Sequence, residues 1–177
     1  MTNIDYVFTD KKNAAAYLYS KLENKTPIKI QKGLYFLWAF YAATYGNINY
    51  DVDAGFSDGT SSKKYPSELF KPDFEAWRYG PVDNEIWAMS KHSKISDLPA
   101  TINAELDGTM QREIELFMDD LIKDIDNVND FGLVERSHRD SAWREAFDKS
   151  NEHDHQPMDA AKIKEDYVGY VQAQSEL

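Results

Sequence analysis

The chain of 177 residues contains no cysteine. This absence excludes disulfide bonds, metal sites built on thiolates and catalysis by a cysteine nucleophile. A chain without cysteine is compatible with the reducing cytoplasm, where structural disulfides are rare. We therefore expect a cytoplasmic protein.

Long hydrophobic runs are also missing. The longest one covers residues 34–43, which is about half of the ~20 apolar residues that a helix needs to cross a bilayer. The N-terminus carries Asp5 and Asp10 in place of the basic region and apolar core of a secretory signal peptide. The sequence predicts neither a membrane span nor secretion.

Basic residues are fewer than acidic ones. The chain has 20 lysines and arginines against 31 aspartates and glutamates, so its formal net charge is -11 and its pI is near 4.7. This charge repels nucleic acids and anionic membrane surfaces, and we expect no direct binding to either. A basic partner is favoured, although the same charge would also keep a protein soluble without any role in partner choice.

Patterns typical of catalytic and metal sites are incomplete. The segment Asp58-Gly59-Thr60 lacks the second glycine and the Lys-Ser/Thr pair of a phosphate-binding loop. Ser137 and His138 are neighbours, which does not place them as nucleophile and base. Residues 151–155 contain two imidazoles and two carboxylates, but their spacing favours a solvated loop over a metal site. The sequence predicts no catalytic residue, no cofactor and no metal, and hence no enzyme.

Hydrophobic residues recur at helical spacing in six segments. Thr26 and Pro27 are typical of a helix start and Gly46 of a helix end, so the second helix is expected at residues 27–45. Asp159 is a typical N-cap, with Met158 and Ile163 placed to contact each other across it. The predicted helices begin after Asp10, at Pro27, at Pro81, at Arg112, after Asp140 or Ser141, and after Asp159.

The segments between these helices predict loops and little β-structure. Residues 47–66 are rich in Gly, Ser, Asp and Lys, with an alternating stretch that predicts a small β-hairpin near residues 50–58. Residues 70–77 suit either a short helix or a strand, and a linker is expected after Gly132. Since 42% of the residues are hydrophobic and no repeat is visible, we expect a single compact, mainly α domain spanning residues 1–177.

One turn is unusually rich in large side chains. Gly80 tolerates backbone angles that a side chain excludes, and Pro81 has a φ angle suited to the first turn of a helix, so a helix is predicted from Pro81. Trp77, Arg78 and Tyr79 precede it. Aromatic and arginine side chains serve both core packing and partner contact, and this turn has more of them than a simple connection requires.

Two further segments complete a pattern with this turn. They are Ile30-Gln31-Lys32-Gly33-Leu34-Tyr35-Phe36 upstream, and Leu133-Val134-Glu135-Arg136-Ser137-His138 followed by Trp143 downstream. In this order the three segments resemble the Panacea domain, also called SocA-like, which is found in bacterial and phage antitoxins and in phage-associated proteins. The resemblance extends from Ile28 to the closing helix that contains Tyr167. Gly33 departs from it, because the family usually has a larger apolar residue there.

The resemblance implies a binding protein that neutralises a toxin by direct contact or delivers it to a protease, in a bacterium or a phage-infected host. A negative surface would suit a basic toxin. An alternative is a phage-encoded inhibitor or host-interaction protein that mimics nucleic-acid charge. A less favoured alternative is a metal-dependent hydrolase that uses His153 and His155. The candidates for a shared partner-binding surface are the motif residues Lys32, Tyr35, Arg78, Tyr79 and His138.

Overall fold

The computed structural model describes residues 4–53, 65–92, 94–148 and 155–175. The described residues form seven α-helices and a three-stranded antiparallel sheet with the strand order β2-β1-β3. The helices are α1 (Lys11–Lys21), α2 (Pro27–Asp53), α3 (Asn84–Lys91), α4 (Gly108–Asp126), α5 (Asp130–His138), α6 (Ser141–Asp148) and α7 (Ala160–Ser175). The strands are β1 (Phe74–Trp77), β2 (Gly80–Asp83) and β3 (Gln156–Pro157). The predicted mainly α fold is confirmed.

Helix α2 is the centre of the fold. All of residues 29–39 are buried, because α1, α3, α4, α5, α7 and strand β2 pack around it. A helix that is apolar on most of its faces needs neighbours on most of its faces. Gly33 allows one of these contacts, since a Cβ there would lie 2.8 Å from Leu18 Cδ2 on α1.

The predicted end of α2 at Gly46 is wrong, because the helix continues to Asp53. The segment after the helix crosses it: Tyr41 Oη donates a hydrogen bond to the Pro66 carbonyl (2.7 Å), and Trp38 Nε1 donates one to the Phe70 carbonyl (2.9 Å). A Cβ on Gly46 would clash with the Ser67 carbonyl. Gly46 therefore makes room for a crossing backbone instead of ending the helix.

The β-hairpin of the structure lies elsewhere than predicted. It pairs β1 with β2. Of the predicted hairpin region near residues 50–58, residues 50–53 are helical and the rest lies outside the described residues. The residues 70–77, for which helix and strand were both open, contain β1.

Pro81 does not begin a helix. It lies in β2 opposite Ala76, and α3 begins only at Asn84. The Asp83 carboxylate accepts a hydrogen bond from the Ile86 N–H (3.0 Å) and so acts as the N-cap. The carboxylate of an N-cap residue satisfies a free backbone N–H in the first turn of a helix. A helix that began at Pro81 would have Gly80 at this position, and glycine has no side chain to accept the bond.

The linker predicted after Gly132 is helix α5, whose N-cap is Asn129: its Oδ1 accepts a hydrogen bond from the Gly132 N–H (2.7 Å). The predicted helix around Trp143 is confirmed as α6, but the Asp140 carboxylate does not cap it. Asp166 of α7 accepts the Ala142 N–H instead (2.9 Å). The Asp159 cap of α7 is confirmed by its 2.9 Å hydrogen bond from the Ala161 N–H.

Candidate functional site

The three sequence motifs meet at the turn between β1 and β2. Arg78 and Tyr79 form this two-residue turn, which is closed by the pairing of Trp77 with Gly80. Gly80 has a φ of 104°, in the region that favours glycine, and a Cβ there would lie 2.7 Å from Lys32 Cε and would clash with Ser137 Oγ. Lys32, in the motif on α2, and Ser137, in the motif before Trp143, therefore both pack against Gly80 in the turn motif.

Helix α2 holds the turn with two consecutive polar side chains. Lys32 Nζ donates a hydrogen bond to the Pro81 carbonyl (2.9 Å), and Gln31 Oε1 accepts one from the Asp83 N–H (2.9 Å). Both side chains are buried, with exposed fractions of 2% and 1%. Asp83 also pairs with Lys11 of α1, with 2.9 Å between Nζ and Oδ2. Strand β2 is thus fixed to two helices.

Helices α5 and α6 hold the other side of the turn. His138 Nε2 donates a hydrogen bond to the Arg78 carbonyl (3.1 Å), and Trp143 Nε1 donates one to the Trp77 carbonyl (2.9 Å). The two donor rings stack on each other, with centroids 4.0 Å apart. Four side chains from two motifs therefore bind the backbone of the third.

Burial governs the charges around the turn. It lowers the pKa of the Lys32 ammonium from 10.5 to about 7. Burial also lowers the pKa of His138, and the positive charge of Lys32 adds to this effect, while the hydrogen bond to the Arg78 carbonyl opposes it. Burial therefore disfavours a positive charge on either side chain.

The side chains at the tip of the turn point outward. Tyr79 is 58% exposed, and Arg78 is also exposed. The Arg78 guanidinium carbon lies 5.7 Å from the centroid of the Tyr79 ring, within the range of a cation–π contact. An exposed arginine and tyrosine on a fixed backbone are typical anchors of protein interfaces.

A cavity of about 490 Å³ lies beside the turn, between α2, the hairpin, Trp87 of α3 and the end of α6. Most of its walls are apolar or aromatic. His155 stacks on Trp77 at a centroid distance of 3.8 Å, and Trp87 meets the same Trp77 ring edge-on at 5.9 Å. The lining residues are Ile28, Gln31, Lys32, Ala76, Trp77, Arg78, Tyr79, Val82, Trp87, Phe147 and His155.

The five candidate partner-binding residues fall into three groups. Arg78 and Tyr79 are exposed at the tip, while Lys32 and His138 hold its backbone. Tyr35 is a correction to the predicted shared surface, because it is fully buried. Its position in the centre of α2 directs its hydroxyl to Asp140 in the core. Lys32 is also buried, with 2% of its surface exposed. Partner binding by the five residues stays a prediction.

The neighbours Ser137 and His138 are not arranged as a catalytic pair. Ser137 Oγ donates a hydrogen bond to the Val134 carbonyl (2.8 Å) within α5, whereas His138 Nε2 is bonded to Arg78. Of the histidine cluster at residues 151–155, only His155 belongs to the described residues, and it stacks on Trp77. In the described ranges, no three His, Asp or Glu side chains are grouped closely enough to hold a metal ion.

Comparison with known families matches residues 56–144 to the antitoxin SocA-like, Panacea domain. This match covers half of the 177 residues. The chain belongs to the SocA-like Panacea family. The turn motif and the motif ending at Trp143 lie inside the matched range, whereas the Gln31-Lys32 motif on α2 lies before it. Neither the curated proteins nor the solved structures include a significant match to the chain.

Membership of the Panacea family supports a role of the toxin–antitoxin type, with a protein partner such as a toxin. It also suggests a role other than catalysis. None of the helices in the described ranges is long and apolar enough for a membrane span.

Sequence reasoning missed two features of the Panacea site. Gln31 lies in a sequence motif but is not among the predicted site residues, although a polar residue inside the apolar stripe of α2 is a signal for a buried hydrogen bond. The cavity formed by Trp77, Trp87 and His155 was not foreseen. These residues come from three separated segments, and only the fold brings them together.

Proposed function

We propose that this Panacea protein is an antitoxin that neutralises a cognate protein toxin by direct contact in the cytoplasm. One observation carries the proposal: side chains of two motifs bind the backbone of the third and leave Arg78 and Tyr79 exposed at its tip. A catalytic centre would instead direct the motif side chains at a substrate. Here they fix a contact surface.

Preorganisation explains why so many side chains hold one short turn. Binding is weakened by the entropy lost when loops and side chains become ordered at an interface. Hydrogen bonds from Lys32, His138 and Trp143 order the turn before any partner arrives. The two exposed side chains can then contribute most of their interaction energy to the complex.

The net charge of -11 supports a basic toxin as the partner. Opposite charges speed the encounter of two proteins and disfavour partners of like charge. Arg78 would then be an exposed positive group on a protein of negative net charge, and we expect it to meet an acidic or aromatic group of the toxin.

The test is co-expression with the product of the neighbouring gene. We expect the neighbour to be toxic alone and harmless with this chain, and the two proteins to purify as a stable complex. The half-life of the toxin in cells separates two routes: an unchanged half-life indicates neutralisation by contact, and a shortened one indicates delivery to a protease. A neighbour that is harmless alone and does not bind this chain would contradict the proposal.

A further inference from the structure

A buried hydrogen-bond donor without a partner in the described ranges belongs to a residue that lines the cavity beside the turn. Gln31 lines it, and its Oε1 accepts the Asp83 N–H. An amide nitrogen cannot accept that bond, so the orientation of the Gln31 amide is fixed. Its buried Nε2 has no hydrogen-bond partner among the described residues. A buried donor without a partner costs about 1–3 kcal/mol, which an acceptor atom of a ligand would relieve.

The next residue, Lys32, is a buried lysine without an anionic partner among the described residues. Lys32 also lines the cavity, and its Nζ makes one hydrogen bond, to the uncharged Pro81 carbonyl. Within the described part of the chain no carboxylate forms an ion pair with it, and burial is the cause of its lowered pKa. Buried ammonium groups are normally paired with an anion.

The rest of the cavity is suited to an apolar group. Trp77 is fixed by a hydrogen bond from its Nε1 to Glu75 Oε2 (2.8 Å) and by the stacked ring of His155. Trp87 and Phe147 complete the aromatic lining. A volume of about 490 Å³ lies within the range of small-ligand sites, which combine apolar walls with few polar groups.

We propose that this cavity binds the C-terminal residue of a protein partner, with the carboxylate at Gln31 and Lys32 and a large apolar or aromatic side chain against Trp77 and Trp87. The Gln31 amide donor and the Lys32 ammonium, which an anion would stabilise, favour a carboxylate as the acceptor, and the apolar walls favour a large apolar side chain. In a polypeptide, only the last residue carries both a carboxylate and a large apolar side chain. The proposal names the contact within the proposed antitoxin function and rests on it.

The test titrates the purified full chain with two peptides, N-acetyl-glycyl-phenylalanine and the same peptide with a C-terminal amide. Binding is followed by NMR through the indole N–H signals of the four tryptophans, assigned with single Trp→Phe variants. We expect the acid to shift the Trp77 and Trp87 signals and to bind at least ~10-fold more tightly than the amide, because an ionic hydrogen bond is stronger than a neutral one. Equal affinities, or no binding of either peptide at several millimolar, would overturn the proposal.

Variants locate the carboxylate. Gln31→Glu keeps the acceptor for Asp83 but replaces the free donor by an acceptor, and Lys32→Met removes the charge. We expect each to reduce the preference for the acid over the amide at least ~10-fold. Gln174→Glu adds the same charge at the exposed end of α7 and should leave the preference unchanged. A preference that both cavity variants retain would contradict the assignment.

The peptide titration uses the purified chain alone, so its result is independent of the co-expression result. If the chain neutralises the toxin but does not bind the peptide acid, only the proposed contact with a C-terminal residue is rejected. If the chain binds the peptide but the product of the neighbouring gene is harmless and does not bind the chain, the cavity site is supported and the antitoxin function is rejected.

Discussion

The Tyr35 hydroxyl on α2 donates a hydrogen bond of 2.6 Å to Asp140 Oδ2, in the connection between α5 and α6. Tyr167 donates to the same oxygen at 2.7 Å, and Tyr170 donates to Oδ1 at 3.1 Å. Burial raises the pKa of Asp140, while these three hydrogen bonds oppose the rise. One carboxylate therefore joins α2, α7 and the helices that hold the turn.

Asp140→Ala is expected to lower the free energy of unfolding by about 3 kcal/mol or more. The substitution leaves two fully buried hydroxyls, those of Tyr35 and Tyr167, without their acceptor, and each such group costs ~1–3 kcal/mol. Urea denaturation measures the change. Asp120→Ala, on the exposed face of α4, is the control and should change stability by less than ~0.5 kcal/mol. Equal effects of the two substitutions would show that the tyrosine cluster contributes no stability.

Gly80→Ala is expected to destabilise the protein by more than about 2 kcal/mol. A φ of 104° strains an alanine by ~1–3 kcal/mol, and the added Cβ would also clash with Ser137. Gly169→Ala is the matched control, since a Cβ there meets no atom within 4 Å. In a helix, that change should stabilise by ~0.5–1 kcal/mol. Thermal unfolding midpoints should therefore move in opposite directions, and a shared direction would contradict the prediction.

Lys32 is expected to make stability depend on pH. Its pKa is about 7 in the folded protein and ~10.5 when unfolded, so the unfolded chain binds more protons between these values and the contribution of Lys32 to stability rises with pH across that window. At lower pH both states are protonated, and the buried charge has its full cost.

Lys32→Met removes this dependence. The free energy of unfolding of the variant minus that of the wild type should be most positive near pH 6 and should fall by a few kcal/mol toward pH 10. Urea denaturation at several pH values measures the difference, in which the other titrating groups largely cancel. The exposed Lys123→Met should show no such trend. A constant difference for Lys32→Met would indicate an ordinary lysine pKa.

Arg78→Glu is expected to weaken the complex with the toxin at least ~10-fold, because an exposed arginine at an interface is a frequent hot spot. Calorimetric titration measures the affinity. The thermal unfolding midpoint should stay nearly unchanged, since the side chain is exposed. Arg112→Glu, which makes the same charge change at an exposed position of α4, should have a smaller effect on affinity. A collapsed midpoint for Arg78→Glu would assign this residue to the fold.

Local signals explain which helices were predictable. Asp159 could be recognised as the cap of α7 because the bonds of an N-cap reach only two or three residues along the chain. The amphipathic pattern of α4 likewise depends only on its own sequence. Family motifs were also readable, since each is a short continuous segment.

Long-range contacts explain the errors. Gly46 looked like a helix end because the crossing segment at Ser67 that requires a glycine is distant in sequence. Asp140 has the sequence position of a helix cap, but its carboxylate accepts hydrogen bonds from three tyrosines of α2 and α7, which are distant in sequence. Such residues have more than one possible role, and the contact that selects the role does not appear in the local sequence.

The sequence by itself determined the mainly α class, the acidic character and the family of this protein, because composition, helical periodicity and short motifs are local properties. Only the tertiary structure decided that the motifs converge on one turn, with Lys32 holding its backbone and Tyr79 exposed at its tip. Packing around α2 buries Tyr35 and encloses the aromatic cavity. Burial and convergence depend on which segments meet in space, and that is settled by the folding of the whole chain.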